Sequence, residues 1–315
     1  IKEVWNWKKE SGDKILNQLK KLGCSCDWSR NRFTMDKDLS LAVTKTFVDL
    51  YNKKIIYKDT KLVNWDTKLE TAISDLEVEQ REMQSQLYYI KYKIDDENNY
   101  ITIATTRPET MLGDTAVAVN PKDKRYKKYI GKKVIVPIVE RSVKIIADSY
   151  VSLDQGSGAL KVTPAHDFND FEIGKRHNLQ FINIFEKNGK LNSLAPKDLI
   201  AVDRFEARKI IIQKLKQLNL VEKIESIQNS VPYGDRSNSV IEPLLTEQWF
   251  ADAKFLAKKA IQEVKKKRTN FFPQNWTKIY FQWMNNIQPW CISRQLWWGH
   301  RIPAWYAKDK KIFVA

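Results

Sequence analysis

Cysteine is scarce in this sequence, and the little there is cannot staple a fold. Three cysteines in 315 residues, Cys24, Cys26 and Cys291, make no disulfide framework for a chain of this size, which fits a reducing compartment. Cys24-Ser25-Cys26 has no second Cys or His pair beside it, which argues against a zinc site, and each thiol reads as a buried structural group. Histidine is equally rare, at three. No apolar run approaches the roughly 18 residues of a membrane span. No secretory leader pattern is present either: the opening Ile1-Lys2-Glu3-Val4-Trp5 is mixed and polar. Without an initiator Met, and opening inside a helical pattern, the sequence reads as a segment of a longer chain. No Ser-His-Asp or Cys-His nucleophile pairing is evident, which disfavours a covalent hydrolase. Gly156-Ser157-Gly158 lacks the Gly-Lys-Ser/Thr that would make it a phosphate loop. Acidic residues are also outnumbered, 38 against 54 basic, giving a formal charge of +16. That balance suggests a polyanionic partner, most simply nucleic acid, although a Lys-, Asn- and Ile-rich composition of the AT-rich kind accounts for part of it.

What is present is enough to build real cores. Hydrophobic residues make up 43% and aromatics 11%, and the length suits two or three packed units. The first 80 residues or so read as mainly helical. Ser11 is placed to cap a helix bearing Ile15, Leu16, Leu19 and Leu22 and ended by Gly23; Asp36 is placed to cap a second with a stripe of Leu39, Val43, Phe47, Leu50 and Tyr51. Ile55–Tyr57 and Lys61–Trp65 read as two short strands around a polar turn. From Leu87 the texture turns to strands: Leu87–Ile94 and Tyr100–Thr106 around the turn at 95–99, then Ala116–Val119, Lys133–Pro137, Val143–Ile146 and Gly158–Thr163. Helices are expected near Phe168–Asn178 and Arg204–Leu218. Many short strands with a few helices predict a closed or barrel-like sheet with helices outside. Beyond Asp235, Asp252–Lys267 and Asn275–Ile287 read as helices before an aromatic-dense stretch.

Three segments carry chemistry. Thr105-Thr106-Arg107-Pro108-Glu109-Thr110 follows a strand, and Pro108 pushes Arg107 towards extended backbone, so an ordered loop should begin there. Its hydroxyls, guanidinium and carboxylate suit a polar ligand with an anionic group; a capped helix start, with Thr hydroxyls serving the backbone, is the competing account. In Lys161-Val162-Thr163-Pro164-Ala165-His166-Asp167-Phe168-Asn169-Asp170, Lys161 sits in a strand and the acidic pair opens a helix. Asp167 and Asp170, three apart, share a face. They either grip an ammonium or orient water, or simply complement the helix dipole. His177 is assigned a structural role. The third segment, Trp290-Cys291-Ile292-Ser293-Arg294-Gln295-Leu296-Trp297-Trp298-Gly299-His300-Arg301-Ile302-Pro303, interleaves aromatics with Arg and His and can stack a base, line an apolar pocket or form a Trp-rich core turn.

Taken together and in this order, the three segments resemble the valyl branch of the class I aminoacyl-tRNA synthetases. Asp27-Trp28-Ser29-Arg30, Phe33-Thr34-Met35-Asp36, Leu62-Val63-Asn64-Trp65-Asp66, Ile241-Glu242-Pro243-Leu244 and Gln248-Trp249-Phe250 add to the resemblance, which covers nearly the whole chain. Thr-Thr-Arg-Pro-Glu-Thr and Arg-Gln-Leu-Trp-Trp-Gly-His-Arg-Ile-Pro are closer to the valyl than to the isoleucyl or leucyl relatives. The resemblance implies an α/β protein in which a β-barrel-like editing domain, 81–234, is inserted into parts of a Rossmann-type core, 1–80 and 235–315. The His-Ile-Gly-His and Lys-Met-Ser-Lys-Ser signatures do not occur in these residues. No cofactor is therefore expected for this stretch, and ATP and Mg are expected only of a full-length ligase.

The same resemblance implies hydrolysis of threonine mischarged onto tRNA(Val), since an apolar pocket only weakly rejects an added hydroxyl, for which threonine beside valine is the standard illustration. It implies that Asp170 accepts the substrate ammonium, that Arg107, Thr110 and Lys161 contact the threonyl moiety or terminal adenosine, and that Asp167 helps recognise the hydroxyl. Asp170, Lys161 and Asp167 are the expected catalytic group. Thr105, Thr106, Glu109 and His166 join Arg107 and Thr110 as substrate-binding residues, with no metal ligand among them. Expected partners are tRNA(Val) and its threonyl ester, with valine and ATP for the full-length protein. A cytoplasmic monomer is expected, with no membrane contact. The competing functional accounts are a tRNA-docking fragment without catalysis and the editing region of an isoleucyl-type relative.

Overall fold

The computed structural model describes residues 1–95 and 98–315, so the turn expected at 95–99 lies partly outside the described residues. The chain forms two compact units, one from residues 1–59 and 248–315, the other from 60–247.

In the first unit, helix α1 runs Lys2–Lys21, so Ser11 lies mid-helix and is no cap. The helix starts ten residues earlier than the Ser signal suggests, with Glu3 in its first turn favouring that start. It does end at Gly23, whose φ of +79° allows the paired bonds Cys24 N–H to Leu19 O and Gly23 N–H to Lys20 O that close a helix C-terminus. Helix α2 is Lys37–Asn52 with Asp36 at its cap position. The Asp36 carboxylate, however, accepts from Phe33 N at 2.9 Å rather than from the helix. Of the stripe on α2, Phe47 is buried while Leu39 and Val43 stay exposed. The segment after α2 is one strand, β1 (Ile56–Asp66), not two. Its central Lys58-Asp59-Thr60-Lys61 is polar but extended, because polarity alone does not bend a strand.

The second unit begins within β1 and continues with β2 (Thr71–Ile73), paired antiparallel to Asn64–Asp66. Strand β3 covers Val78–Ile94, nine residues more than the alternation indicates. Its first half pairs along its length with the later strand Val221–Gly234 as a polar ribbon, and such a ribbon leaves no apolar period to read. Strands β4 (Tyr100–Thr105), β5 (Ala116–Val119), β6 (Lys133–Val136), β7 (Arg141–Ala147) and β8 (Ala159–Val162) follow. Their order is β4-β3-β6-β7-β5-β8. β4 and β8, at the ends of that path, lie against each other, so the sheet curls into a half-barrel. β5, parallel to β7 and antiparallel to β8, is Ala-Val-Ala-Val and fully buried, as expected of a strand covered on both faces. Helix α3 (Phe168–Arg176) packs near β8, and α4 (Arg204–Gln217) against the turn at Pro108–Gly113. β9 (Val221–Gly234) and β10 (Glu242–Ala251) lead back out.

The chain completes the first unit with α5 (Ala253–Lys265), α6 (Trp276–Asn285) and the short strands β11 (Trp290–Cys291), β12 (Ala304–Tyr306) and β13 (Ile312–Val314). Its core is Phe47, Ile56, Trp249 and Ala251, with Ile292, Ile302 and Val314 against them. Within the third motif, Trp298 stacks on Phe33 with its edge against Trp5, while Trp297 is 91% exposed. The cysteines are not core groups: Cys26 is exposed and Cys24 and Cys291 are half-buried. No helix among the described residues is long and apolar enough to cross a membrane.

Candidate functional site

The site lies in the second unit, where β4 ends. Thr105 closes that strand, and its hydroxyl accepts from Arg107 N at 3.0 Å, so it serves the backbone. Arg107, before Pro108, stays out of the helical region at φ −125° and ψ 67°, short of the fully extended backbone expected before a proline. The next six residues, Pro108–Gly113, wind as a buried 3-10 turn. Gly113 permits it: a Cβ there would lie 2.9 Å from Ile182 O. The turn brings Thr110 back so that its hydroxyl donates to Arg107 O at 3.0 Å.

From β8, Lys161 reaches the same turn. Its ammonium donates to Thr110 Oγ1 at 2.7 Å and to Thr163 Oγ1 at 2.6 Å, and stands 3.5 Å from Asp114 Oδ1. The Thr163 hydroxyl donates to Asp114 Oδ1 at 2.5 Å, and Tyr92 OH donates to Asp114 Oδ2 at 2.7 Å. Each hydroxyl that accepts from Lys161 must therefore send its hydrogen inward, to Arg107 O or to Asp114. All five groups are buried. Burial and the neighbouring Asp114 charge push the Tyr92 phenol up, so it stays protonated as the donor. Burial also raises Asp114, with Lys161 acting in the opposite direction.

The acidic pair at the start of α3 divides into two roles. Asp167 is exposed and caps the helix, accepting from Asn169 N at 2.8 Å and Asp170 N at 3.0 Å; here the local-structure account holds. Asp170 is 5% exposed, not at the surface, and accepts from Thr163 N at 2.8 Å. Burial, reinforced by the Asp167 charge and opposed by Lys161, lifts its carboxyl from the usual 3.8 to about 7.

Arg107 is wedged between carboxylates. Its Nε donates to Glu109 at 3.3 Å, Nη2 to Glu242, and Nη1 to His166 O at 3.1 Å. Burial works against its charge, but Glu242 and Glu109 more than offset that and raise its pKa above the ordinary value. Among the described residues these bonds leave one hydrogen each on Nη1 and Nη2. Glu109 is wholly buried and held bidentately by Arg208, at 2.7 and 2.8 Å. The His166 ring accepts from Ile184 N through Nε2 at 3.0 Å. Burial, then the charges of Arg107 and Lys161, push its pKa well below the usual value, so it is neutral. Thr106 is half-buried at the strand end. His177 joins Arg176 on the Asp148 carboxylate, 2.9 Å from its oxygen. No three His, Cys, Asp or Glu side chains among the described residues group as metal ligands.

Arg107, Thr110, Lys161, His166 and Asp170 thus belong to one connected cluster. Sequence reading gave no role to Tyr92, Arg204 or Arg208, and Asp114, Thr163 and Glu242 entered it only as members of quoted motifs. Signals existed for some: Glu242 is an acid inside an apolar Ile-Glu-Pro-Leu run, and Arg204 and Arg208 are four apart on one helix face. The arrangement can bind a cation at Asp170 and an electron-rich oxygen at Arg107, and it can exclude water from the hydroxyls between them.

The profile of the family described as tRNA synthetases class I (I, L, M and V) matches residues 1–315. The valine–tRNA ligase of Pelagibacter ubique is 67% identical over 315 residues, covering all of this chain and 36% of that protein. That of Bradyrhizobium diazoefficiens is 58% identical over 337 residues, covering 100% and 35%, and that of Caulobacter vibrioides 51% over 334 residues, covering 100% and 37%. The chain therefore spans about a third of the length of the relatives it matches.

Proposed function

This chain belongs to the class I tRNA synthetases (I, L, M and V), and on that premise we propose that it is the editing region of a valine–tRNA ligase, hydrolysing threonine wrongly esterified to tRNA(Val). Residues 81–234 are the inserted editing domain in this reading, and 1–80 and 235–315 flank it on the core side. The observation that carries the proposal is the convergence of distant segments: Lys161 Nζ is 2.7 Å from Thr110 Oγ1, and Arg107 Nη1 is 3.1 Å from His166 O.

Asp170 is the partner of the ligand's ammonium. A buried carboxyl titrating at about 7 ionises more readily as a cation approaches, and the charge-assisted bond it then makes is strong in a dry site. Arg107 offers its two remaining hydrogens to the adenosine end, away from the reacting carbonyl. Lys161 does not reach the ligand in this scheme: its ammonium fixes Thr110 and Thr163, which in turn hold the turn that carries Arg107. Asp167 caps α3 and, by its charge, keeps Asp170 poised. Glu109, Thr105 and His166 hold the frame. With no protein nucleophile in this scheme, water attacks the ester carbonyl carbon, the C–O bond to the ribose breaks, and the ribose oxygen takes up a proton. The side chains contribute positioning, and the neighbouring ribose hydroxyl assists. A threonine hydroxyl finds polar partners that valine would leave unpaired, and that difference sorts the two esters.

The exposed basic residues Lys124, Lys127, Lys128 and Lys133 suit the phosphate backbone of tRNA. ATP, Mg and valine belong to the longer protein's synthetic core, and no step here runs through them. A cytoplasmic monomer remains part of the proposal. The test is release of threonine from Thr-tRNA(Val) against release of valine from Val-tRNA(Val). Threonine should be released much the faster, and Asp170→Ala should abolish it while circular dichroism stays unchanged. Binding of both esters without release would overturn the reading in favour of a docking fragment.

A further inference from the structure

Arg107 belongs to a chain of buried and half-buried charges of alternating sign: Arg208, Glu109, Arg107, Glu242, Arg204. Arg208 holds Glu109 at 2.7 and 2.8 Å, Glu109 is 3.3 Å from Arg107, Arg107 bonds Glu242, and Glu242 is 3.5 Å from Arg204. Glu109, Glu242 and Arg204 are at most 4% exposed, while Arg107 and Arg208 have side chains 28% exposed. Both ends of the chain come from one helix. Arg204 and Arg208 lie one turn apart on α4, and four-residue spacing puts them on the same face. Arg204 is itself pinned, donating to Thr67 Oγ1 at 2.9 Å and Val240 O at 2.7 Å.

We infer that Arg208, Arg204 and Glu242 are positioning residues for Arg107, so that helix α4 sets the direction in which that guanidinium meets its ligand. The inference rests on the editing reading for what the ligand is, and on geometry alone for the positioning. A guanidinium is a rigid fork, and carboxylates on Nε and Nη2 fix both its plane and its rotation. Each carboxylate is in turn shared with an α4 arginine. Without Arg208, Glu109 would keep Arg107 as its remaining cationic partner and draw it inward, away from the exposed face. The chain also holds three arginines against two glutamates, so one positive charge is left over for an electron-rich group at its accessible members.

The test is steady-state threonine release by the 315-residue chain carrying Arg208→Met or Arg208→Lys. Misplacement of a binding group with the chemistry intact raises KM and spares kcat. For Arg208→Met, KM should rise about tenfold with kcat within about twofold of the parent, about the loss of one hydrogen bond to a charged group. Arg208→Lys, which keeps the charge but loses the fork, should fall between. A drop in kcat at unchanged KM marks a smaller folded fraction and overturns the inference. A second measurement does not depend on activity: the Arg107 Nε–H resonance, assigned through Arg107→Lys, should move in Arg208→Met. If it stays where it lies in the parent, the inference fails even though threonine is released. If the parent releases no threonine but the resonance moves, the editing reading fails and the positioning stands.

Discussion

Replacing Asp170 by Asn should stabilise the fold at alkaline pH while destroying threonine release. The carboxyl of Asp170 titrates at about 7 in the folded chain, against its usual 3.8. The sign follows from which state holds the proton. Below 3.8 both folded and unfolded chains carry it, and Asp170 costs nothing. Between 3.8 and 7 the unfolded chain ionises and the folded one does not, so stability falls as pH rises; above 7 the loss is complete. A shift of about three units corresponds to about 4 kcal/mol. Asn cannot ionise and keeps an oxygen for Thr163 N–H, now 2.8 Å from the carboxylate, though as a weaker acceptor. We therefore expect a gain of about 2–4 kcal/mol at pH 8.5, shrinking below about 1 kcal/mol at pH 4. For a unit of this size that is about 4–16 °C in Tm. Thermal melts of both proteins at the two pH values measure it. Equal shifts at pH 4 and 8.5, or a lower Tm for Asp170→Asn at pH 8.5, would refute the reasoning. A gain in stability with loss of turnover is the pattern of a group held at a cost for its chemistry.

Two further outcomes are expected. Lys161→Met should destabilise by about 3–5 kcal/mol in urea titration, because Asp114 is left buried without its counter-ion. Adding Asp114→Asn should recover at least half of that, and purely additive losses would mean that the 3.5 Å pair is not coupled. Second, an N-acetyl-threonyl ester of tRNA(Val) lacks the ammonium assigned to Asp170 and should be cleaved at least about a hundredfold more slowly, a charge-assisted bond being worth about 3 kcal/mol. Equal cleavage of the free and acetylated esters would remove that role from Asp170.

Much of the fold was legible because the second unit obeys period two where its strands are half-buried. Tyr100–Thr105 alternates exposed and buried positions, and Ala116–Val119 is a short apolar run of the kind a covered strand makes. What escaped reading lacked that signal. Val78–Gln86 and most of Val221–Gly234 pair with each other as a ribbon largely open to solvent, so neither has an apolar face to betray it, and only the partner makes them strands. Ser11 misled for the opposite reason. It is a common cap residue, yet it sits inside α1, where the helix formers Lys8, Lys9 and Glu10 before it and Lys14, Leu16, Gln18 and Leu19 after it outweigh the local Ser11-Gly12-Asp13 signal. The two strands expected around Lys58–Lys61 are one because a polar stretch without Gly or Pro has nothing to break it.

At the site the residue types were legible and their division of labour was not. For each motif a ligand role competed with a local-structure role, and the fold assigns one to each member. Thr105 serves the backbone and Thr110 faces Lys161; Asp167 caps α3 and Asp170 turns inward to Thr163. Sequence spacing could not make that division, because Asp167 and Asp170 share a helix face and either one could have been buried. What decides is whether the neighbouring segment offers a donor in a dry place, and Thr163 N–H is brought there by β8, which pairs with β5. The same reasoning explains why Arg204 and Arg208 went unread. Two arginines on a helix look like a solvated face until the acids that meet them, Glu109 and Glu242, are known to be buried. A buried acid is tolerated only when a cation meets it, so the complete burial of Glu109 within Pro108–Gly113 is the feature that demands a partner such as Arg208.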